Sequence, residues 1–327
     1  MSLTKFQRKL CDVLQQGLPI CSRPFAELGK ILESSETQVL EEVRLLRQDG
    51  FIRRIGAFVD YRQLGIYGTL VAAHIEQGSF EKVVDKVNSL AGVSHNYLRD
   101  HYYNLWFTLL AKSVEDIKSQ LEEFSIQFGT NFKNLPTEHI FKLDVRFYTD
   151  DCAPTTSQAV EVKQIYEGDV VRLKEIEKQV LSNLQQGLKV IAEPFHALIE
   201  KISDQQVLQN ISHLVDKGVI KRVGAVVNHY KLGFVANVLF CCQVNRDRAK
   251  QAGQRLAKFR IVSHCYQRKT ETDWPYNLYA MMHAKNMGQI QQIIDDFVNA
   301  EKINSFEILP TARELRKEPA KFLFLID

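Results

Sequence analysis

The sequence lacks the pattern of a cysteine-held metal. Its six cysteines, at 11, 21, 152, 241, 242 and 265, include no Cys-x-x-Cys spacing, so a thiolate zinc or iron–sulfur cradle has no support. Long apolar runs are missing too. The most extended, from Phe234 to Cys242, is strand-sized, so neither a membrane span nor a signal peptide is expected. Scattered thiols without a secretory segment fit a reduced, cytoplasmic protein. Charge of one sign is scarce: 42 Lys and Arg against 39 Asp and Glu leave +3, far from the basic stripe of a strong DNA binder. Gly-rich phosphate loops, a Ser-centred elbow and a paired-carboxylate dyad are absent as well, which leaves nucleotide-binding and hydrolase readings unsupported.

What is present is ordinary globular composition, 45% hydrophobic and 25% charged over 327 residues, enough for several domains and a sizeable core. Within it one pattern is written twice. Leu14-Gln15-Gln16-Gly17 recurs as Leu184-Gln185-Gln186-Gly187, Pro24-Phe25 as Pro194-Phe195, Gly56-Ala57 as Gly224-Ala225 and Leu64-Gly65 as Leu232-Gly233. Val93-Ser94-His95-Asn96-Tyr97-Leu98-Arg99 returns as Val262-Ser263-His264-Cys265-Tyr266-Gln267-Arg268. The two copies are therefore collinear.

Each copy opens with helical periodicity: Phe6, Leu10, Val13 and Leu14, then Phe25, Leu28 and Leu32, then Val39, Val43 and Leu46. Ser34 and Ser35, and Ser203 in the second copy, offer N-caps; Gly50 and Gly218 offer stops. Extended segments 51–59 and 219–227 follow as wings, completing a winged helix-turn-helix. Strands and helices then alternate in β-α-β-β-α-β order, the ferredoxin-like split motif. The expected fold is α+β, with winged helix-turn-helix domains at 1–60 and 171–229, ferredoxin-like domains at 61–148 and 230–327, and a linker at 149–170.

Strand alternation puts His95, Tyr97 and Arg99 on one face, and His264, Tyr266 and Arg268 on its counterpart. An imidazole, a phenol and a guanidinium aligned this way can bind and protonate an anion. The competing reading is a solvated or interface strand whose polar groups satisfy one another; duplication of the triplet weighs against it. A second basic group lies on the wings, Arg53, Arg54, Lys221 and Arg222, with His229 and Tyr230 beyond. The helices in the recognition position carry Glu36, Glu41, Glu42 and Asp49 in one copy, and Asp204 and Asp216 in the other. Affinity for phosphates needs positive charge, so the helix-turn-helix reads as scaffold and nucleic acid is not an expected partner. Aromatics 101–107 and 274–279 read as core or as the wall of a flat apolar ligand.

Helix-turn-helix plus ferredoxin-like module, once per half, resembles the Lrp/AsnC architecture. The finer strings resemble a narrower group, the sirohaem decarboxylases: Arg53-Arg54-Ile55-Gly56-Ala57 with Lys221-Arg222-Val223-Gly224-Ala225, the two Ser-His-x-Tyr-x-Arg segments, Tyr103-Asn104-Leu105-Trp106-Phe107-Thr108 and Trp274-Pro275-Tyr276-Asn277-Leu278-Tyr279. Members often occur as two related subunits, and the two copies here resemble the fused form associated with haem d1 synthesis. The resemblance implies loss of the C12 and C18 acetate carboxyl groups of sirohaem, giving 12,18-didecarboxysirohaem and carbon dioxide.

On that resemblance, Arg53, Arg54, Arg99, Lys221, Arg222 and Arg268 bind substrate carboxylates, joined in substrate binding by His229, Trp274 and Tyr276. His95 or His264, with Tyr97 or Tyr266, supplies the proton. No resident metal and no cofactor beyond the iron-containing substrate are expected, although a histidine could instead touch the substrate iron. A homodimer of pseudo-dimeric chains and contact with other haem d1 biosynthesis proteins are expected. The alternative is an Lrp/AsnC-type transcription regulator responding to a tetrapyrrole or amino acid. The copies differ where Tyr61 matches His229 and where Lys269–Pro275 replaces the shorter Asp100–Tyr102, so one productive pocket is expected.

Overall fold

The computed structural model describes residues 3–144, 146–148, 170–199, 202–322 and 325–326. The expected linker lies outside these residues except for residue 170. The first copy contains α1 (Lys5–Gln16), α2 (Pro24–Leu32), α3 (Glu36–Gln48), β1 (Ile52–Val59), β2 (Tyr67–Ala73), α4 (Phe80–Ser89), β3 (Val93–Arg99), β4 (Leu105–Ala111), α5 (Val114–Phe128) and β5 (Phe132–Leu143). The second contains α6 (Glu175–Gln186), α7 (Asp204–Asp216), β6 (Ile220–Val227), β7 (Ala236–Cys242), α8 (Arg246–Lys258), β8 (Val262–Arg268), β9 (Leu278–Ala284), α9 (Met287–Glu301) and β10 (Phe306–Lys317). The counterpart of α2 is a single 3-10 turn, His196–Leu198. Contacts group the two copies like with like. A helical unit takes the described residues of 3–64, 146–148 and 170–233, and a barrel unit those of 65–144 and 234–326.

In the helical unit, Ser35 caps α3 by accepting from Gln38 N, and Ser203 caps α7 in a capping box with Gln206. Apolar stripes, Leu10 and Leu14 on α1 and Val39, Val43 and Leu46 on α3, are buried with at most 1% exposure, so burial of one face holds each helix. The two wings do not project separately. β1 and β6 pair antiparallel with Gly56 opposite Gly224. Each wing also clasps the helix exit of the other copy: Leu18 N donates to Val223 O and Leu188 N to Ile55 O, both at 2.7 Å. This requires close backbone approach. A Cβ on Gly56 would stand 2.2 Å from Leu184 O, and one on Gly224 2.8 Å from Leu14 O, which is the physical reason the Gly-Ala string appears in both copies.

In the barrel unit each copy builds its sheet in ferredoxin-like order, β5-β2-β4-β3 and β10-β7-β9-β8, and the two sheets join edge to edge into a closed eight-stranded barrel. The joining elements are β5 and β10, twelve residues each. The first part of β5 pairs with β2 and the rest with β8 of the other copy. Likewise β10 passes from β7 to β3. Pro136 and Pro310 are the last residues paired before each hand-over, where a missing N–H interrupts the ladder least. Helices cover the outside. Val83, Val87, Ile117 and Leu121 pack on one sheet, and Ala252, Leu256, Ile290 and Ile294 on the other. The inner face forms a third core drawn from both copies, including Ala72, Trp106, Leu135, Leu239, Cys241, Tyr279 and Leu309.

Candidate functional site

The repeated Ser-His-x-Tyr-x-Arg segments are β3 and β8. Residues between the triplet positions turn to the helices: Asn96 donates to Asn88 Oδ1 on α4 (3.0 Å), and Cys265 lies against Gly253 O on α8 (3.6 Å). His95, Tyr97 and Arg99 therefore share the other face, as do His264, Tyr266 and Arg268. Ring centroids are 6.2 Å apart for His95–Tyr97 and 6.0 Å for His264–Tyr266. The guanidinium follows in each row, 5.4 Å from the Tyr97 ring for Arg99 and 4.7 Å from the Tyr266 ring for Arg268, within cation–π range. Along each strand, half-buried imidazole and phenol lead to a buried guanidinium.

Burial gives the arginines a role that the strand pattern alone does not reveal. Arg99 is 3% exposed and Arg268 7%. Arg99 Nη1 donates to Leu309 O at 2.7 Å and Thr311 Oγ1 at 3.1 Å. Arg268 Nη1 donates to Leu135 O at 2.8 Å and Thr137 Oγ1 at 2.9 Å. Each arginine thus grips the Leu-Pro-Thr corner of the other copy, where β10 or β5 changes partners. A backbone carbonyl and a threonine hydroxyl of the other copy engage Nη1 of each guanidinium expected to bind substrate. Burial lowers the pKa of Arg268, against the favourable fields of Tyr266 and Tyr279. Cys241 senses both guanidiniums, yet burial dominates and raises its thiol pKa. The recurrence of Leu135-Pro136-Thr137 as Leu309-Pro310-Thr311 was the available sequence signal for this clamp.

The aromatics divide between packing and hydrogen bonding. Trp274, expected to touch substrate, is 2% exposed and fills the inner core. Its ring lies 5.5 Å from Trp106, 5.3 Å from Tyr103 and 4.7 Å from Tyr276, while its Nε1 donates to Tyr279 Oη at 2.8 Å. Tyr276 is 9% exposed, and its hydroxyl meets Glu307 at 3.2 Å. The repeated Asn is a clasp: Asn104 exchanges two hydrogen bonds with the backbone of Ile75, as Asn277 does with Val244. The longer loop of the second copy reaches the first through Asp273, which pairs with buried Lys133 and accepts from Tyr103 Oη at 2.6 Å. Lys133 and Tyr103 hold the Asp273 pKa down to about 2. Burial, then the Asp273 hydrogen bond, raises that of Tyr103.

The wing candidates belong to the helical unit, where they make internal contacts. Arg54 Nη1 donates to Gln185 O (3.1 Å), Lys221 Nζ is 3.4 Å from Asp60, and Arg222 stacks 3.8 Å from the Phe58 ring centroid. Arg53 is half-buried beside them. Burial lowers the pKa of Arg54 and of Lys221. His229, expected at the substrate, has no exposed surface and stacks on Phe147 at 5.2 Å. His229 and Trp274 share one feature: each is an aromatic ring that helps complete a core. The basic residues of α3 are also engaged. Arg44 donates to Val190 O (3.0 and 3.2 Å) and Arg47 to Leu188 O (3.3 Å). With both wings paired, these interactions favour scaffold over groove reading.

Among the described residues no group of three His, Cys, Asp or Glu side chains is placed to hold a metal ion, and no helix is long and apolar enough to cross a membrane.

Comparison with known proteins adds a consistent set of likenesses. An AsnC-like ligand binding domain matches residues 63–142 and 231–316, and a Siroheme decarboxylase NirDL-like HTH domain matches 7–53. The chain is similar to the Siroheme decarboxylase of Hydrogenobacter thermophilus, with 31% identity over 320 residues, covering 96% of this chain and 94% of that one. It is similar to the Siroheme decarboxylase NirDL subunit of Paracoccus pantotrophus, with 30% identity over 298 residues, covering 90% and 89%. The crystal structure of the siroheme decarboxylase NirDL in complex with an iron-uroporphyrin III analogue superposes with a TM-score of 0.73 at 28% identity, covering 98% of this chain and 96% of that one.

Proposed function

The chain belongs to the sirohaem decarboxylase family and is a carboxy-lyase, and we propose that it removes the carboxyl groups of the C12 and C18 acetate side chains of sirohaem, giving 12,18-didecarboxysirohaem and two molecules of carbon dioxide. The observation that carries this reading is the half-buried imidazole–phenol pair presented in the same way on β3 and β8. Decarboxylation asks for a group that supplies a proton to the carbon the carboxyl leaves, and the macrocycle of the substrate can accept the electron pair meanwhile. In this reading His95 and His264, assisted by Tyr97 and Tyr266, are the groups that meet the reacting acetates. Arg99 and Arg268 act from behind, fixing the tyrosines and the strand ends rather than gripping substrate. Binding energy from carboxylates that do not react holds the reacting one in place.

The iron belongs to the substrate, and no separate organic cofactor is invoked. The product would feed haem d1 synthesis in the cytoplasm, with the chain acting as a homodimer. The test is to incubate purified protein with sirohaem without oxygen and follow product mass. Two successive losses of carbon dioxide are expected. A competent substrate recovered unchanged refutes the assignment.

A further inference from the structure

The two histidines are not held alike. Ser263 Oγ lies 2.8 Å from His264 Nδ1 and 3.2 Å from the carbonyl oxygen of Met281. Ser94 Oγ lies 2.8 Å from His95 Nδ1, but its other neighbour, at 2.9 Å, is the hydroxyl of Thr108. Thr108 also accepts the His95 backbone N–H at 3.3 Å. Thr108 and Met281 are equivalent in the repeat, each the fourth residue of its strand in Leu105-Trp106-Phe107-Thr108 and Leu278-Tyr279-Ala280-Met281. One copy therefore offers the serine a second hydroxyl, and the other offers a carbonyl.

That difference decides where protons sit. A serine hydroxyl has one proton to give, and a carbonyl can only accept. Beside Met281, an unprotonated His264 Nδ1 would leave one hydroxyl proton to serve two acceptors. With a proton on Nδ1, the imidazole donates to Ser263 and Ser263 donates to Met281, so both bonds of the relay are made. Ser263 is only 6% exposed, so an unmade bond there would be costly. Beside Thr108 no such choice is forced. Thr108 can donate to Ser94 and Ser94 to Nδ1, or the chain can run in reverse.

Resting on the decarboxylase reading, we propose that Ser263, bonded to the Met281 carbonyl, is a positioning residue that holds His264 as its Nδ1–H tautomer and makes His264 Nε2 the atom that delivers the proton. In the step, the bond from the methylene carbon to the carboxylate breaks and carbon dioxide leaves. The electron pair stays with that carbon and takes the Nε2 proton of the His264 imidazolium, whose N–H pair returns to the ring. The methylene becomes a methyl group, and His264 is left neutral with the Nδ1–H bond already made. A solvent proton restores it, one for each carboxyl removed. His95, whose relay also supports the Nε2–H neutral form, suits hydrogen-bond donation to a carboxylate.

Nitrogen-15 spectra of histidine-labelled protein, with His264 assigned by its loss in His264→Gln, report the tautomer without substrate. The expected neutral His264 has a protonated Nδ1 and a bare Nε2. Ser263→Ala should shift it towards the Nε2–H form and lower kcat at least about ten-fold with little change in KM, while Ser263→Thr restores both. Ser94→Ala should cost less. A native His264 in the Nε2–H form overturns the proposal whatever the variants do, as does Ser263→Ala turning over at the native rate. A native Nδ1–H spectrum in a protein that leaves sirohaem unchanged overturns the decarboxylase reading alone.

Discussion

Replacing Arg268 by Met separates a structural clamp from a substrate anchor. The side chain keeps its apolar length but loses both donations, 2.8 Å to Leu135 O and 2.9 Å to Thr137 Oγ1. Hydrogen bonds to a charged group are worth about 1.5–3 kcal/mol each, and the stranded Leu135 carbonyl adds about 1–3 kcal/mol. Against this, the variant no longer buries a guanidinium at 7% exposure, which returns several kcal/mol of desolvation. A net loss of about 3 kcal/mol is expected. Thr137→Val, which removes one partner and keeps the charge, should cost about 1 kcal/mol. The two residues are in contact, so the double variant should lose less than the sum. Urea unfolding followed by tryptophan fluorescence is the assay, since the two tryptophans, Trp106 and Trp274, sit 5.5 Å apart in the barrel interior. An unchanged urea midpoint for Arg268→Met, with a several-fold rise in KM for sirohaem, would refute the clamp and restore the anchor.

Two further outcomes follow from geometry at other places. Gly56→Ala drives a Cβ to 2.2 Å from Leu184 O whereas Gly224→Ala reaches only 2.8 Å from Leu14 O; costs of about 3 and 1–2 kcal/mol respectively are expected in thermal melts followed by circular dichroism, and equal melting points would contradict the close approach. Asp273, held down to about 2 by Lys133 and Tyr103, contributes stability that is complete above the ordinary carboxylate range and is lost as pH falls from about 4 through 2; because the side chain is 62% exposed the effect should stay below about 1 kcal/mol, and Asp273→Asn should flatten this part of the acid-stability curve.

Local periodicity carried much of the fold. The apolar stripes of α1 and α3, the serine caps and the β-α-β-β-α-β order were all written in short windows of sequence. Barrel closure was not, because pairing β5 with β8 and β10 with β3 is decided by contacts more than a hundred residues apart. Pro136 shows a local case: a proline inside a run reads as a break, yet β5 runs through it from Phe132 to Leu143. In the site, alternation placed each His-Tyr-Arg row on one face, while the contacts of Arg99 and Arg268 with carbonyls of the opposite copy join residues more than a hundred positions apart, hinted at only by the repeated Leu-Pro-Thr string. Trp274 and His229, both buried, pose a related question. An aromatic ring looks the same in sequence whether it lines a pocket or fills a core.

The closed ring of strands also bears on how the chain meets its neighbours. An open sheet ends in rows of unpaired N–H and C=O groups that invite another strand to join. Here the outermost strands of each sheet, β5 and β3 in one and β10 and β8 in the other, are consumed by one another. Strand addition to the barrel, the route by which separate sheets most readily polymerise or exchange partners, has already been used up within one polypeptide. Association through the barrel itself would instead rest on side chains of its outer surface, where it can change without disturbing the ring of strands.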